Sequence, residues 1–280
     1  MTDYFGKAAD KLCGKRLWLF DMDGTVYEED RLFEGALELL AQIEKTGGRY
    51  VFITNNSSKS VKAYIDKVNR LGIRADYENF FTSSQATILY LNKYFSEKKI
   101  YCQGTQSFVE ELITAGIHIT ETVEPVDAVV VGFDTELTSG KIRNTCEVLN
   151  QDVPFIATNP DLRCPVSFGF IPDCGSICQM IENATGRTPL FIGKPEKIMI
   201  DFVRKKFGFK KEETVVIGDR LYTDIASGIN AGCTSVAVLT GETSISEILS
   251  NNIKPDFTVP SVNTLYQILT TSSVSSVAET

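Results

Sequence analysis

Two carboxylates stand directly after a short apolar run near the start of this 280-residue sequence. The run Trp18-Leu-Phe20 stops at Asp21 and Asp23, and Gly-Thr follows at once. Such a run is typical of a buried strand, so both acids are expected in the loop after its carboxyl end, where parallel sheets bind ligands. The pair could supply a covalent nucleophile and a proton donor that share a hard cation. An ordinary Asp-Gly turn would leave the same pattern.

A hydroxyl and two amides end the second predicted strand, residues 49–54. Thr54, Asn55 and Asn56 stand there in succession. A hydroxyl followed by consecutive backbone N–H groups can hold phosphate oxygens. The same residue types favour helix N-caps, which is the alternative interpretation.

A lysine follows a third apolar run in the sequence Gly193-Lys194-Pro195. Proline is favoured at a helix start, so this lysine is expected at a fixed place between a strand and a helix. There it could neutralise a phosphate and a nucleophilic carboxylate together. A surface lysine ahead of a helix is the alternative.

Two more acids follow the apolar run that ends at Gly218. Asp219 is expected at the strand tip, and Asp224 in the first turn of the next helix, which it could also cap. Together with Asp21 and Asp23 they would crowd four carboxylates at one sheet edge. Two bare charges 4 Å apart repel by about 4 kcal/mol at an effective dielectric constant of 20. The cluster therefore requires a cation, and oxygen ligands at a phosphate site favour Mg²⁺.

Strand-like and helical runs alternate along the chain, which predicts βαβ units and mainly parallel sheets. The alternation of strands and helices starts again near Gln85. The part of the chain that follows includes a predicted loop over residues 163–175, rich in Pro, Gly and Cys. The predicted fold class is α/β, a doubly wound Rossmann-like core with a large inserted α/β domain. We place the core at residues 1–84 and 181–280 and the insertion at residues 85–180.

Composition excludes several classes of function. The net charge of −8 and the low isoelectric point of about 4.9 argue against a nucleic-acid-binding surface. No stretch approaches the ~18 apolar residues of a membrane span, and the first residues lack a signal-peptide core. A cytoplasmic protein with neither a nucleic-acid nor a membrane partner is expected.

Few residues of this chain could support catalysis by histidine or cysteine. With the single histidine, His118, in a predicted strand, a Ser-His-Asp or Cys-His mechanism is disfavoured. Seven scattered cysteines in a cytosolic chain are expected as free thiols packed like small apolar residues. The spacing of Cys164, Cys174 and Cys178 matches no common zinc site.

Four motifs in order carry a resemblance to a known family. They are Asp21-Met-Asp23-Gly-Thr, Thr54-Asn-Asn, Gly193-Lys194-Pro and Gly218-Asp219-Arg-Leu-Tyr-Thr-Asp224. These motifs resemble those of the haloacid dehalogenase-like hydrolase superfamily. With Thr158-Asn-Pro-Asp161 they look like its subfamily IIA, the NagD-like and 4-nitrophenylphosphatase branch.

The resemblance implies catalytic roles for three side chains. Asp21 would attack phosphorus and become an aspartyl phosphate. Asp23 would protonate the leaving alcohol and then deprotonate the attacking water. Lys194 would balance the charge of Asp21 and the phosphate.

The resemblance also implies binding roles. Thr54 and the N–H of Asn55, with Asn56 beside them, would hold the phosphoryl oxygens. Mg²⁺ would be bound by Asp21, by Asp23 through its backbone carbonyl, by Asp219, and by Asp224 directly or through a water.

In the same resemblance, the inserted domain is a cap that closes over the active site and selects the leaving group. Asn159, Asp161 and Arg163 are the predicted substrate contacts, and an Asn-Pro-Asp turn beside a flexible loop is the alternative. Cys164 and Cys174 depart from the pattern of the branch, so the choice of substrate stays open. A homodimer formed through the cap would fit the family.

The sequence thus predicts a Mg²⁺-dependent phosphatase that hydrolyses small phosphorylated metabolites (sugar phosphates, nucleotides, 4-nitrophenyl phosphate) through an aspartyl phosphate. Asp23 favours phosphate-ester hydrolysis over C–Cl or C–P cleavage, because dehalogenases and phosphonatases lack this acid. A phosphomutase or phosphotransferase could use the same intermediate. A phosphoacceptor or binding protein without turnover is the alternative from another class. A phosphoacceptor domain, however, has its lysine after all its acids, whereas here Asp219 and Asp224 come last.

Overall fold

The computed structural model of the chain describes residues 1–57, 61–166 and 168–275. The strands in these ranges are β1 (Leu17–Phe20), β2 (Tyr27–Glu28), β3 (Arg31–Leu32), β4 (Arg49–Thr54), β5 (Phe80–Thr82), β6 (Lys99–Gln103), β7 (His118–Thr120), β8 (Ala128–Val131), β9 (Phe155–Ala157), β10 (Arg163–Val166), β11 (Gly169–Pro172), β12 (Leu190–Phe191), β13 (Thr214–Gly218), β14 (Thr234–Val238) and β15 (Phe257–Val259). The α-helices are α1 (Ala36–Lys45), α2 (Val61–Arg70), α3 (Ser83–Tyr94), α4 (Gln106–Thr114), α5 (Ser139–Leu149), α6 (Cys174–Thr185), α7 (Lys197–Phe207), α8 (Ala226–Asn230), α9 (Ile245–Ser250) and α10 (Val262–Ser275).

The chain divides into two compact units. The first consists of Met1–Ile53, Lys62–Phe81 and Pro195–Thr280, and the second of Thr54–Val61 and Thr82–Lys194. Each unit is built on its own sheet, as expected for an α/β protein in which one domain is inserted into another.

The first unit is built on a six-stranded sheet of order β15-β14-β13-β1-β4-β5. Strand β1 lies between β13 and β4, parallel to both, with Phe20 opposite Ile217 and Phe52. The chain leaves β1 towards β4 on one side and later returns to β13 on the other, so the topological switch point lies between β1 and β13. Ligands of doubly wound folds bind beyond the carboxyl ends of the strands at this point.

The strands of this sheet are continuous apolar runs because both faces of the sheet are covered. All four residues of β1 and all five of β13 are buried. Helix α1 turns a stripe of Leu39, Leu40 and Ile43 into the core, which is the pattern of an amphipathic helix. The predicted doubly wound α/β fold is confirmed.

The second unit has a five-stranded parallel sheet of order β12-β9-β8-β6-β7. One apolar cluster of this unit joins Tyr101, Val129 and Val131 of the sheet to Val148 of α5 and Ile177 of α6. Strand β12 pairs with β9, so this unit continues to Lys194. The boundary predicted between residues 180 and 181 falls inside α6, whereas the compact units change at residues 53/54, 61/62, 81/82 and 194/195.

The loop predicted over residues 163–175 is wrong in its secondary structure. Strands β10 and β11 form an antiparallel hairpin there, with Arg163 opposite Pro172, and α6 begins at Cys174. Pro165 and Pro172 suggested a loop, but a two-stranded ribbon has two free edges on which proline is tolerated.

Three further expectations concern His118, the cysteines and the membrane. His118 opens β7, as predicted. None of the seven cysteines, all of which lie in the described ranges, is in a disulfide; Cys102, Cys174, Cys178 and Cys233 are buried, as predicted for most of them, and Cys13 is exposed. Within the ranges that the structure describes, no helix is long and apolar enough to cross a bilayer.

Candidate active site

Asp21 and Asp23 lie in a tight loop at the carboxyl end of β1. The N–H of Asp21 donates to the carbonyl of Ile217 (2.8 Å), which extends the β1–β13 ladder by one residue. The chain then turns through Gly24, whose φ of +77° favours glycine, and the N–H of Val26 donates to the carbonyl of Met22 (2.8 Å). The Asp-Gly turn considered from the sequence is therefore present, and it presents both acids beyond the strand.

A cluster of three carboxylates lies at the switch point of the first unit. Asp21, Asp219 and Asp224 each place a carboxylate oxygen within 4.8 Å of the others. Asp219 is 3% exposed and Asp224 is fully buried. Burial, followed by the charge of Asp21, raises the pKa of Asp219 to about 6.

These three carboxylates fit a divalent cation. Like charges at this separation repel one another, the more so because two of the three are buried, and a hard cation with oxygen ligands removes that repulsion. The carboxylate of Asp23 is not one of the three, and the resemblance assigns the backbone carbonyl of this residue to the metal instead.

Close backbone packing holds Asp219 in one orientation. Its Oδ2 accepts the N–H of Glu242 (2.8 Å), and its carbonyl accepts the N–H of Thr243 (3.0 Å). A Cβ on Gly241 would lie 2.0 Å from this Oδ2, and one on Gly24 would lie 2.6 Å from it. Only glycine at both positions lets the two loops close around the carboxylate.

Asp224 is held by a single wide helical turn, Leu221–Ile225, which precedes α8. The N–H of Ile225 donates to the carbonyl of Arg220 (3.2 Å), a π-type bond of the kind frequent at functional sites. Oδ2 of Asp224 accepts the N–H of Arg220 (3.1 Å). A Cβ on Gly218 would lie 2.2 Å from the Cβ of Asp224, so this glycine lets Asp224 reach the strand tip.

Asp23 is exposed, but the protein around it still removes part of its solvent shell. This desolvation raises the pKa of the Asp23 carboxyl, although Lys67 acts in the opposite direction; Asp21 raises it further. A carboxyl whose proton is retained to higher pH suits a general acid.

In the second unit, Thr54, Asn55 and Lys194 lie in one buried network. The N–H of Asn56 donates to the Thr54 hydroxyl (3.2 Å). The N–H of Lys194 donates to Oδ1 of Asn55 (2.8 Å), and Nδ2 of Asn55 donates to the carbonyl of Lys194 (2.8 Å). The structure thus brings the second and third predicted motifs together.

The predicted substrate contacts have different surroundings. Nδ2 of the buried Asn159 donates to the carbonyl of Asn55 (2.8 Å), and its Oδ1 accepts the N–H of Asp161 (3.0 Å). Oδ2 of Asp161 accepts from Nδ2 of Asn55 (3.2 Å). The Arg163 guanidinium stacks over the ring of Phe170, 4.3 Å from its centre. Asn159 and Asp161 therefore join the network. Among the described residues, no bond joins Arg163 to it. The contact of all three with substrate stays a prediction.

Comparison with known proteins decides the family. A model of the haloacid dehalogenase-like hydrolases matches residues 18–118, and a HAD-hydrolase-like model matches residues 191–265. The chloroplastic phosphoglycolate phosphatase 1A of Arabidopsis thaliana is 37% identical over 270 residues, which cover 86% of this chain and 73% of the relative. The chain belongs to the haloacid dehalogenase-like hydrolases.

Solved structures place it in the predicted branch of this family. The 4-nitrophenylphosphatase of Thermotoga maritima matches with a TM-score of 0.87 and 37% identity, covering 92% of this chain and 99% of that one. NagD of Escherichia coli matches at 0.83 and 32%, covering 89% and 97%. The glycerol phosphate phosphatase of Mycobacterium tuberculosis, solved with magnesium, matches at 0.84 and 26%, covering 92% and 77%. The predicted NagD-like, subfamily IIA membership is confirmed.

Two basic side chains of this haloacid dehalogenase-like hydrolase, Arg220 and Lys67, were assigned no role from the sequence. Arg220 pairs with Glu242 (2.9 Å); burial lowers the pKa of the guanidinium, but Asp21 and other acids raise it more. The Lys67 ammonium lies 4.1 Å from the centre of the Tyr27 ring and acts on Asp23. Arg220 stood beside Asp219 in the motif and could have been considered, whereas nothing in the sequence marked Lys67.

Proposed function

We propose that this chain is a Mg²⁺-dependent phosphatase that hydrolyses small phosphate monoesters through an aspartyl phosphate on Asp21. The observation that carries the proposal is the cluster of Asp21, Asp219 and Asp224 at the switch point of the first unit. Support comes from the relatives, whose names describe phosphatases of phosphoglycolate, 4-nitrophenyl phosphate and glycerol phosphate.

The reaction consists of two displacements at phosphorus. In the first, a carboxylate oxygen of Asp21 forms a bond to phosphorus while the bond to the ester oxygen breaks, and Asp23 donates its proton to that oxygen. In the second, water attacks phosphorus, the bond to Asp21 breaks, and the Asp23 carboxylate takes the proton of the water. Orthophosphate and the free Asp21 carboxylate result.

The metal would be held by Asp21, Asp219 and Asp224, with the carbonyl of Asp23 added by the family resemblance. When bound, Mg²⁺ neutralises the charge that would keep a phosphate away from an aspartate. Asp219 and Asp224 enter no covalent step, and their buried, backbone-held carboxylates would hold the cation.

The phosphoryl group carries negative charge that needs partners besides the metal. We assign Lys194 to this charge, and the Thr54 hydroxyl and the Asn55 N–H to the phosphoryl oxygens, as the resemblance implies. The net charge of −8 makes such local groups necessary, because the protein as a whole repels anions.

Phosphate release from 4-nitrophenyl phosphate and a panel of phosphorylated metabolites tests the proposal. Activity should be lost in EDTA and restored by Mg²⁺, and beryllium fluoride, which mimics an aspartyl phosphate, should inhibit. Asp21→Asn should reduce turnover to background, whereas Asp10→Asn, at an exposed acid of the same unit, should leave it unchanged. Full activity in EDTA, or in the Asp21→Asn variant, would overturn the proposal.

A further inference from the structure

The side chain of Asn55 grips the main chain of Lys194. Its Oδ1 accepts the N–H of Lys194, and its Nδ2 donates to the carbonyl of the same residue; each bond is 2.8 Å long. The pair of bonds resembles one rung of a β-ladder, with an amide side chain in place of a strand. Both residues are buried, Asn55 at 5% and Lys194 at 3% exposure, so water competes little for these bonds.

Glycine at position 193 is what permits this approach. A Cβ there would lie 2.5 Å from Oδ1 of Asn55 and 2.7 Å from the carbonyl of Thr158. The N–H of Gly193 also donates to that carbonyl (2.8 Å). Any side chain would push the segment away from Asn55.

Asn55 is itself held from behind. Its carbonyl accepts the Ser83 hydroxyl (2.6 Å) and Nδ2 of Asn159 (2.8 Å). Both donors are fully buried. The network therefore joins the start of α3 and the loops that follow β9 and β12 to the Asn55 side chain, which bonds the Lys194 backbone.

We propose that Asn55 is a positioning residue for Lys194, and that Asn159 helps to hold Asn55 in place through the carbonyl of Asn55. The inference rests on the charge-balancing role proposed above for Lys194. The Asn55 side chain fixes the backbone of Lys194. The position of the ammonium then depends on the rotamer of the lysine side chain. Small displacements of a reacting group can cost about 10²-fold in rate, so the bonds to the backbone matter for turnover.

A double-mutant cycle tests this assignment. Asn55→Ala keeps the backbone N–H of residue 55, so its effect reports the side chain alone. We expect kcat to fall by about 10- to 100-fold with a smaller change in KM, and Lys194→Ala to cost at least as much. In the Lys194→Ala background, Asn55→Ala should cost less than about 2-fold, because the ammonium that Asn55 positions is already absent. Effects that multiply would show an independent role and overturn the proposal.

Matched variants separate positioning from general damage. Gly193→Ala should reproduce the loss of kcat, whereas Gly140→Ala, whose Cβ would lie at an ordinary contact distance of 3.7 Å from the Thr138 hydroxyl, should not. Asn159→Ala should give a smaller loss that does not multiply with that of Asn55→Ala. Asn150→Ala, at an exposed helix end of the same unit, should leave kcat unchanged.

Hydrogen exchange at the Lys194 amide gives a readout that needs no activity. Asn55→Ala should accelerate exchange there by at least about 10-fold while distant amides keep their protection. Unchanged protection of Lys194 would overturn the positioning role, even for a variant too unstable for kinetics. A wild-type chain without phosphatase activity would overturn the proposed function, and the exchange result would still decide whether Asn55 holds Lys194.

Discussion

At the scale of single residues, the acid cluster depends on glycines as much as on acids. Gly24, Gly218 and Gly241 each leave room in which a Cβ would lie 2.6 Å or less from an atom of Asp219 or Asp224. Such contacts cannot be relieved by a flexible side chain, because the backbone bonds to Glu242 and Arg220 hold both carboxylates.

Gly241→Ala should therefore weaken Mg²⁺ binding. The new methyl group would displace Oδ2 of Asp219, and we expect the Mg²⁺ concentration for half-maximal activity to rise by about 10-fold or more. Magnesium titration of phosphatase activity and calorimetry measure it. Gly14→Ala, whose Cβ meets no atom within 4 Å, is the control. Equal magnesium affinity in both variants would contradict the packing argument.

Asp219→Asn should stabilise the metal-free protein above pH 6. The pKa of this carboxyl is raised from 3.8 to about 6, so its ionisation destabilises the fold as pH rises through that interval. In EDTA, the variant should melt roughly 2–5 °C higher at pH 7.5 and show no difference below pH 3.8. If the variant melts at the same or a lower temperature in EDTA at pH 7.5, ionised Asp219 does not destabilise the metal-free fold.

The sequence identified the acids of the site but not the contacts around them. Asp21, Asp219 and Asp224 could be predicted to converge because each follows a strand or opens the next helical turn, and strand ends at a switch point converge. The grip of Asn55 on Lys194 could not, because the residues are 139 positions apart and only tertiary folding decides where an amide side chain points.

At the scale of elements, apolar runs locate the buried strands, and capping residues determine where helices begin. Helix α3 begins at Ser83, because Thr82 and Gln85 form a capping box. The Thr82 hydroxyl accepts the N–H of Gln85 (3.1 Å), and Oε1 of Gln85 accepts the N–H of Thr82 (2.9 Å).

Thr82→Ala should lower the free energy of unfolding by about 1 kcal/mol. The substitution removes the acceptor of the Gln85 N–H, one of the N-terminal groups of α3. Urea denaturation followed by circular dichroism measures the change, and Thr114→Ala, at an exposed site in α4, is the control. A loss of stability no greater than that of the control would show that the capping box does not stabilise the fold.

The β10–β11 hairpin marks the limit of prediction for elements. Its strands contain Pro165, Pro172 and Gly169, residues that usually end strands. A short ribbon with few partners carries no apolar alternation long enough to outweigh those residues. Strand β12, of only two residues, was expected with the core because nothing local shows which sheet it joins.

At the scale of the whole molecule, two compact units share one chain, and each builds part of the predicted chemistry. The acids are in the first unit, and Thr54 and Lys194 are in the second. Interruption of one α/β unit by another was predictable, since the alternation of runs restarts within the chain. The cap role of the second unit, the homodimer and the cytoplasmic location stay predictions.

The central claim is that Asp21 becomes phosphorylated during turnover. The wild-type protein with Mg²⁺ and 4-nitrophenyl phosphate should be quenched in acid within one turnover, digested, and mapped by mass spectrometry. We predict a phosphoryl group on Asp21 that is labile in base, and its absence from the Asp21→Asn variant and from enzyme kept in EDTA. Full turnover without a phosphorylated Asp21 peptide would contradict the covalent mechanism.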